Sequence, residues 1–200
     1  AGDQLGSSVA LDADATRAIV GAPSNDTAGG ADAGSAYVFV RTGVTWAEEA
    51  TLLVSDGAAG DELGHAVALS ADATRALVGA PRDDTPGGVD AGSSRVLFRT
   101  GTTWVEEAIL VAADGSATDW LGVSVGLSGD GSLAFVGASR DDTPGVDTGS
   151  VRVLVRTGTT WTEDQRVLAA GGAAGDFFGR RFHARHEQRL LELIRQKRFE

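Results

Sequence analysis

The sequence predicts an all-β fold built from repeated four-stranded antiparallel units, and three observations carry that prediction. First, one unit recurs at a spacing of 58 residues. Gly60-Asp61-Glu62-Leu63-Gly64, leading to Val78-Gly79-Ala80-Pro81, is matched by Gly2-Asp3-Gln4-Leu5-Gly6 with Val20-Gly21-Ala22-Pro23, and by Thr118-Asp119-Trp120-Leu121-Gly122 with Val136-Gly137-Ala138-Ser139. Second, each unit holds four short segments with the apolar runs or the period-two alternation of β-strands. Third, polar turns rich in Asp, Gly and Thr separate those segments. A fixed internal period means that each repeat is one supersecondary unit, stacked on its neighbours to bury a common core.

The repeats run 1–58, 59–116 and 117–173, and a fourth begins at Gly175-Asp176-Phe177-Phe178-Gly179 within residues 174–200. The third is one residue shorter, where Gly87-Gly88 becomes the single Gly145 in a loop. The first predicted strand covers residues 7–11, 66–69 and 123–127. A tight turn follows, Asp12-Ala13-Asp14-Ala15-Thr16 in the first copy. The second strand covers 17–21, 75–79 and 133–137, an apolar run that suits burial on both faces. In the third strand Ala36, Val38 and Val40 alternate with Tyr37, Phe39 and Arg41, and Val151, Val153 and Val155 with Arg152, Leu154 and Arg156. One face is apolar and the other mixed. Thr-Gly turns lead to a fourth strand that starts with Trp46, Trp104 or Trp161 and carries Glu48-Glu49, Glu106-Glu107 or Glu163-Asp164 in its middle. Mid-strand charge marks an exposed outer edge. Four antiparallel strands with an apolar inner part and a charged outer strand describe a propeller blade, and about four to eight blades close a ring. Three blades and a start predict a partial propeller with open blade edges, which makes self-association an expectation. A solenoid ranks second.

Composition narrows the function classes. The 200 residues contain 42% apolar residues, enough for a core, and no cysteine, which excludes disulfides and thiolate metal sites. No apolar run approaches the roughly 20 residues of a membrane span. Neither a signal peptide nor any methionine is present, so the chain reads as a mature product or a piece of something longer. Residues 1–179 hold ten arginines against 25 acidic residues. Such a body is a poor binder of nucleic acid, whose affinity rests on neutralising phosphates. From Arg180 on the composition reverses to seven basic and three acidic residues, with Leu190, Leu191, Leu193 and Ile194 at near-helical spacing. That tail reads first as an appended or out-of-frame end, then as a helix capping the open blade or binding an acidic surface.

The Gly-Asp-x-Leu/Phe-Gly start joined to Val-Gly-Ala-Pro resembles the FG-GAP repeat family. Phe178-Gly179 carries the first half of the name, and Gly21-Ala22-Pro23 and Gly79-Ala80-Pro81 the second. The resemblance covers residues 1–179 and is to the bacterial type of these repeats. It implies a β-propeller like the head of integrin α chains, in exported or cell-surface proteins that bind other molecules. It also implies calcium at an Asp-x-Asp-x-Asp-Gly-type loop between the first two strands of a blade. Here that loop is too short and carries one or two carboxylates, whereas calcium takes about six to eight oxygens. A hairpin turn explains its Asp and Gly residues instead.

The richest polar segment is the loop after Gly-Ala-Pro. Asp26 and Asp32 in the first copy, Asp83, Asp84 and Asp90 in the second, and Asp141, Asp142 and Asp147 in the third are the candidate ligands for a hard cation, calcium first. Turn chemistry is the competing reading and the stronger one. Asp3, Asp61, Asp119 and Asp176 are expected to cap the turn into each blade, with an acidic ring at the propeller mouth as the alternative. Trp46, Trp104 and Trp161 are expected to pack between blades before serving as a carbohydrate platform. Gly122-Val123-Ser124-Val125-Gly126 spells a nucleophile elbow, but the aligned positions in the other repeats are ordinary strand residues, and that motif needs a following helix. His65, His183 and His186 do not recur between repeats. Asn25-Asp26-Thr27 is a formal glycosylation acceptor. No catalytic group stands out. The reading is a binding or adhesion module that meets a protein or glycan partner through its loops. An accessory propeller segment of a larger extracellular enzyme, or a truncated structural fragment, is the alternative.

Overall fold

The computed structural model describes residues 2–181. Its strands form three four-stranded antiparallel sheets in strict sequence order. The first holds β1 (Val9–Leu11), β2 (Arg17–Ala22), β3 (Ser35–Thr42) and β4 (Thr45–Leu52). The second holds β5 (Ala66–Leu69), β6 (Arg75–Ala80), β7 (Ser93–Thr100) and β8 (Thr103–Leu110). The third holds β9 (Leu121–Leu127), β10 (Leu133–Ala138), β11 (Ser150–Thr157) and β12 (Thr160–Val167). These are blades of a β-propeller, and they do not close a ring. The basic tail predicted from the sequence lies, from residue 182 on, outside the described residues.

Each sheet is made by short-range chemistry. Asp12 Oδ1 accepts the Thr16 and Arg17 amides at 2.8 and 3.0 Å and so closes the β1–β2 turn. Ser70 and Ser128 hydroxyls do the same work, accepting the Arg75 and Leu133 amides at 2.9 Å. The β3–β4 turn is a two-residue hairpin between Thr42 and Thr45, with Gly43 at φ 64°. Registers repeat from blade to blade: Ile19 faces Val38, Leu77 faces Val96 and Phe135 faces Val153.

The blades stack face to face. Ile19, Val38 and Leu52 of blade 1 meet Leu63, Val67 and Leu69 of blade 2 in one apolar layer. Leu77, Val96 and Leu110 of blade 2 meet Leu121, Val125 and Leu127 of blade 3 in the next. Burying such side chains stabilises by about 1.5–3 kcal/mol each, which makes these layers the main cohesive term. Trp104 and Trp161 pack against the two layers, as expected. Their indole N–H groups donate to Glu49 Oε1 and Glu107 Oε1 of the preceding blade at 3.4 and 3.0 Å.

Those glutamates correct one expectation. Mid-strand charge holds to the exposed edge at Glu48 and Glu106, but Glu49 and Glu107 turn inward. The ladder skips them: Val38 pairs with Ala50 and Phe39 with Glu48, so Glu49 is the extra residue of a β-bulge, and Glu107 and Asp164 occupy the same place. A bulge re-aims its side chain. Glu49 thereby reaches Arg17 at 2.8 Å and Glu107 reaches Arg75 at 2.9 Å. Burial raises these carboxyls, but the arginine bonds outweigh it and hold both below the ordinary range.

The recurrent Gly-Asp-x-Leu-Gly stretch joins blades instead of opening them. Gly60, Glu62 and Leu63 donate their amides to the Ala31, Asp32 and Ala33 carbonyls of blade 1. Thr118, Trp120 and Leu121 do so to Val89, Asp90 and Ala91 of blade 2, and Gly175, Phe177 and Phe178 to Val146, Asp147 and Thr148 of blade 3. The fit leaves no room for side chains: a Cβ on Gly21 would lie 1.9 Å from the Gly64 carbonyl oxygen. Each repeat therefore begins on the blade before it.

Candidate functional site

Strand direction sorts the connections onto two ends. The β1–β2 and β3–β4 turns lie at one end. The long β2–β3 loops and the β4-to-β1 connections of successive blades gather at the other. That loop end contains nearly every candidate residue.

In the loops the aspartates divide into three groups. Asp26, Asp84 and Asp142 face solvent, and each accepts the amide of the aspartate closing its own loop: Asp32 at 3.0 Å, Asp90 at 2.9 Å and Asp147 at 2.8 Å. Asp32, Asp90 and Asp147 sit at φ of 52°, 52° and 51°, the left-handed region that Asp tolerates. Their carbonyls receive the amides of Glu62, Trp120 and Phe177 from the next repeat. Asp83 and Asp141 turn inward. Of the predicted cation ligands the solvent-facing aspartate and the closing aspartate of each loop stay together, while Asp83 and Asp141 are engaged by Ser93 and Ser150, and among the described residues no three His, Asp or Glu side chains are gathered as a metal site needs.

The inward pair exposes what the sequence reading missed. Arg95 and Arg152 stand on the mixed face of the third strand, yet both are buried. Arg95 donates to Asp83 at 2.7 Å and to Asp56 at 2.9 Å, with Glu106 at 3.5 Å. Arg152 donates to Asp141 at 3.0 Å, Asp114 at 2.5 Å and Glu163 at 3.1 Å. Ser93 and Ser150 hydroxyls complete each cluster on Asp83 and Asp141. Burial pulls both guanidinium groups down, and the surrounding carboxylates more than offset it. Blade 1 holds the neutral counterpart, with Asn25 donating to Ser35 Oγ at 2.9 Å and Tyr37 Oη at 3.1 Å. The signal was present in the repeat alignment, where Asn25 and Tyr37 change together to Asp83 and Arg95 and to Asp141 and Arg152.

The lead-in aspartates make the turn contacts expected of caps. Asp61, Asp119 and Asp176 accept the Ala58, Ser116 and Ala173 amides at 2.7, 2.8 and 2.7 Å. Burial pushes the Asp61 and Asp119 carboxyls up, with the nearby Asp83 and Asp141 adding to it.

One position in this framework varies freely. The x of Gly-Asp-x-Leu-Gly meets the residue after Gly-Ala-Pro or Gly-Ala-Ser, and the pair changes chemistry in each blade. Gln4 donates to Ser24 Oγ at 3.0 Å. Glu62 pairs with Arg82 at 3.2 Å, and the His65 ring and Arg82 hold its carboxyl below the ordinary range. Trp120 has the Arg140 guanidinium 3.8 Å from its ring centroid and that of Arg82 at 5.6 Å. Exposed Val89 and Val146 lie on the neighbouring loops.

A separate cleft of about 810 Å³ runs between the innermost strands β1, β5 and β9, with Arg180 and Arg181 at its edge. Ser124, the serine of the elbow-like motif, donates there to the Gly179 carbonyl. It is a strand residue in a strand-to-strand joint, with β9 running on through it.

Comparison with known proteins agrees with this architecture. The crystal structure of Saccharomyces cerevisiae Sqt1 superposes with a TM-score of 0.54 at 10% identity, a likeness of fold alone. The match covers 86% of this chain and 37% of that one. No curated protein sequence matches the chain. A family model described as the FG-GAP repeat matches residues 1–39, 46–97 and 104–154. Its second and third matches begin on the outer strands β4 and β8 and run into the next blade, consistent with repeats that start on the preceding sheet. Both halves of the repeated motif meet at the blade junctions, and the chain belongs to the FG-GAP repeat family.

Proposed function

We propose that the chain is a non-catalytic binding or adhesion module of an exported or cell-surface protein, engaging a protein or glycan partner through its loop end. One observation carries the reading. The residues repeated in every blade are committed to turns and blade joints, whereas one pair of positions at the loop end changes its chemistry with each blade, as Gln4–Ser24, Glu62–Arg82 and Trp120–Arg140. A scaffold needs the same groups each time; recognition needs different ones. Trp and Arg beside exposed valines are also the residue types that dominate interface energetics. Export rests on the family, whose repeats are typical of extracellular proteins, and among the described residues no helix is long and apolar enough to cross a membrane.

The test is binding of the chain to immobilised matrix proteins and to a glycan array. Saturable binding to at least one probe is expected, falling about tenfold or more when Trp120 and Arg140 are both replaced by Ala, as for an interface hot spot. Replacing Asp14 and Val44 at the turn end leaves it unchanged. Equal losses from the two sets, or no binding to any probe, overturn the proposal. A cation at the loop end would be held within one loop, by Asp26 with Asp32, Asp84 with Asp90 or Asp142 with Asp147. Calorimetric titration with calcium tests that part, and absence of heat rejects it.

A further inference from the structure

We infer, resting on the loop-end reading above, that the Trp120–Arg140 patch of blade 3 holds a carboxylate carried by a protein partner. In so acidic a body, cations rarely go unused. Of the ten arginines ahead of residue 180, eight donate to a carboxylate or a backbone carbonyl. Among the described residues, Arg41 and Arg140 find no such acceptor for their guanidinium groups. Arg140 is nonetheless firmly placed. Its guanidinium lies 3.8 Å from the Trp120 ring centroid, and its amide donates to the Asp119 carbonyl at 3.2 Å. A guanidinium over a ring uses its flat face, and its N–H edge stays open to an acceptor.

The other blades show what is different here. At the same two positions Gln4 donates to Ser24, and Glu62 takes Arg82 at 3.2 Å, so both pairs satisfy themselves. In blade 3 an indole stands where blade 2 has the carboxylate, and it stacks on the arginine without accepting from it. The next repeat adds no acceptor at that position, which is Phe177. The Trp120 N–H is itself buried and lacks an acceptor among the described residues. Nor does the turn ask for an indole. Trp120 sits at φ 58°, a left-handed backbone that glycine holds with less strain.

The partner's chemistry follows from these surroundings. A planar carboxylate matches the guanidinium edge with two parallel, charge-assisted N–H···O bonds. A run of anionic groups does not suit the place, because Asp84 and Asp142, two residues beyond Arg82 and Arg140, face solvent and repel it. The flanks are apolar. Val89 is 63% exposed, and its loop borders the indole, since the Val89 and Asp90 carbonyls accept the Thr118 and Trp120 amides. Val146, 64% exposed, lies on the loop that follows Arg140. Valines offer a sugar no hydrogen bonds, but they suit an aliphatic or aromatic side chain. The partner is therefore a protein segment that presents one carboxylate beside an apolar residue.

The experiment is an array of capped hexapeptides, each with one Asp or Glu among Leu, Val, Phe and Ala, and each matched by its Asn or Gln isostere. A second set sets a free C-terminal carboxylate against its amide, so that a side chain and a chain end are told apart. In one of the two sets the intact chain is expected to bind the carboxylate form about tenfold or more tightly than its match. Arg140→Gln should abolish that preference. Arg140→Lys should keep part of it, since an ammonium carries the charge without the fork, and it guards against misfolding of the first variant. Arg41→Gln makes the same charge change at the turn end and should leave the preference intact. Equal binding of acids and amides in both sets, or equal losses from Arg41→Gln and Arg140→Gln, overturns the inference. So does an oligogalacturonate that binds through Arg140 more tightly than any peptide, because the carboxylate is then a sugar's. If the matched pairs bind equally but the Trp120 and Arg140 double variant still loses a matrix protein or glycan, this inference alone falls. If the double variant loses nothing, the loop-end reading falls with it.

Discussion

The buried arginines show how one blade position accepts two chemistries. In blade 1 Asn25 and Tyr37 satisfy each other without charge, while Asp83 and Arg95 form an ion pair in the same place. Breaking a buried pair by removing one partner costs about 3–5 kcal/mol, because the remaining charge is left desolvated. Arg95→Tyr should therefore destabilise the chain by about that amount, chiefly through Asp83, since Asp56 and Glu106 reach solvent. Adding Asp83→Asn recreates the blade 1 arrangement, and the double-mutant cycle should show a favourable coupling of about 1–3 kcal/mol. Urea unfolding of the four proteins measures it, and strictly additive losses would refute the pairing. The sequence placed Arg95 correctly on the mixed face of its strand. It hid the burial, because the partner Asp83 lies 12 residues away across a loop and looked like a candidate for metal binding.

At the scale of elements, the strands were legible because alternation and turn chemistry are local. β5 falls on the predicted residues 66–69, and β2, β6 and β10 each run one residue further than predicted. The packing of Trp104 and Trp161 was legible too, since one aromatic per repeat at a fixed place is a demand of stacking. The bulge at Glu49 was not, because a register shift is set by the partner strand and leaves no mark on the spacing within its own. The joints between repeats were hidden for the same reason: their partners lie about 30 residues apart in different sheets. Gly21→Ala probes such a joint. Its Cβ would press on the Gly64 carbonyl at 1.9 Å, where backbone cannot yield cheaply. Overpacking costs of this kind run to about 1–3 kcal/mol and often more against backbone. A fall in urea midpoint is expected for Gly21→Ala and none for Gly43→Asn, which meets nothing within 4 Å and allows a left-handed residue. Equal effects would count against the joint.

At the scale of the whole molecule, stability is distributed as in a stack, where each unit contacts only its neighbours. Blade 2 is covered on both faces by described blades, whereas blade 1 is covered on one. Local opening is easiest where few apolar contacts must be broken. Amide exchange should accordingly be slowest in β6 and β7 and fastest in the three-residue β1, with β5 well protected although it occupies the same place in its sheet. Mass-spectrometric exchange on the intact chain reads this directly, and equal rates in β1 and β5 would contradict it.

The stitches that tie each Gly-Asp-x-Leu-Gly to the blade before it also bear on how such a chain can change its length. Because every repeat overlaps its predecessor, the unit has no privileged seam, and a 58-residue window supplies one of each strand position and one of each half of a joint, whole or in two pieces. A deletion or duplication of that length, begun anywhere ahead of the Gly87-Gly88 loop, rejoins equivalent positions and leaves each joint with a partner. Blade number is then open to change by slippage during recombination, without the breakpoint having to find a domain border. A gain or loss of one blade needs only to keep phase.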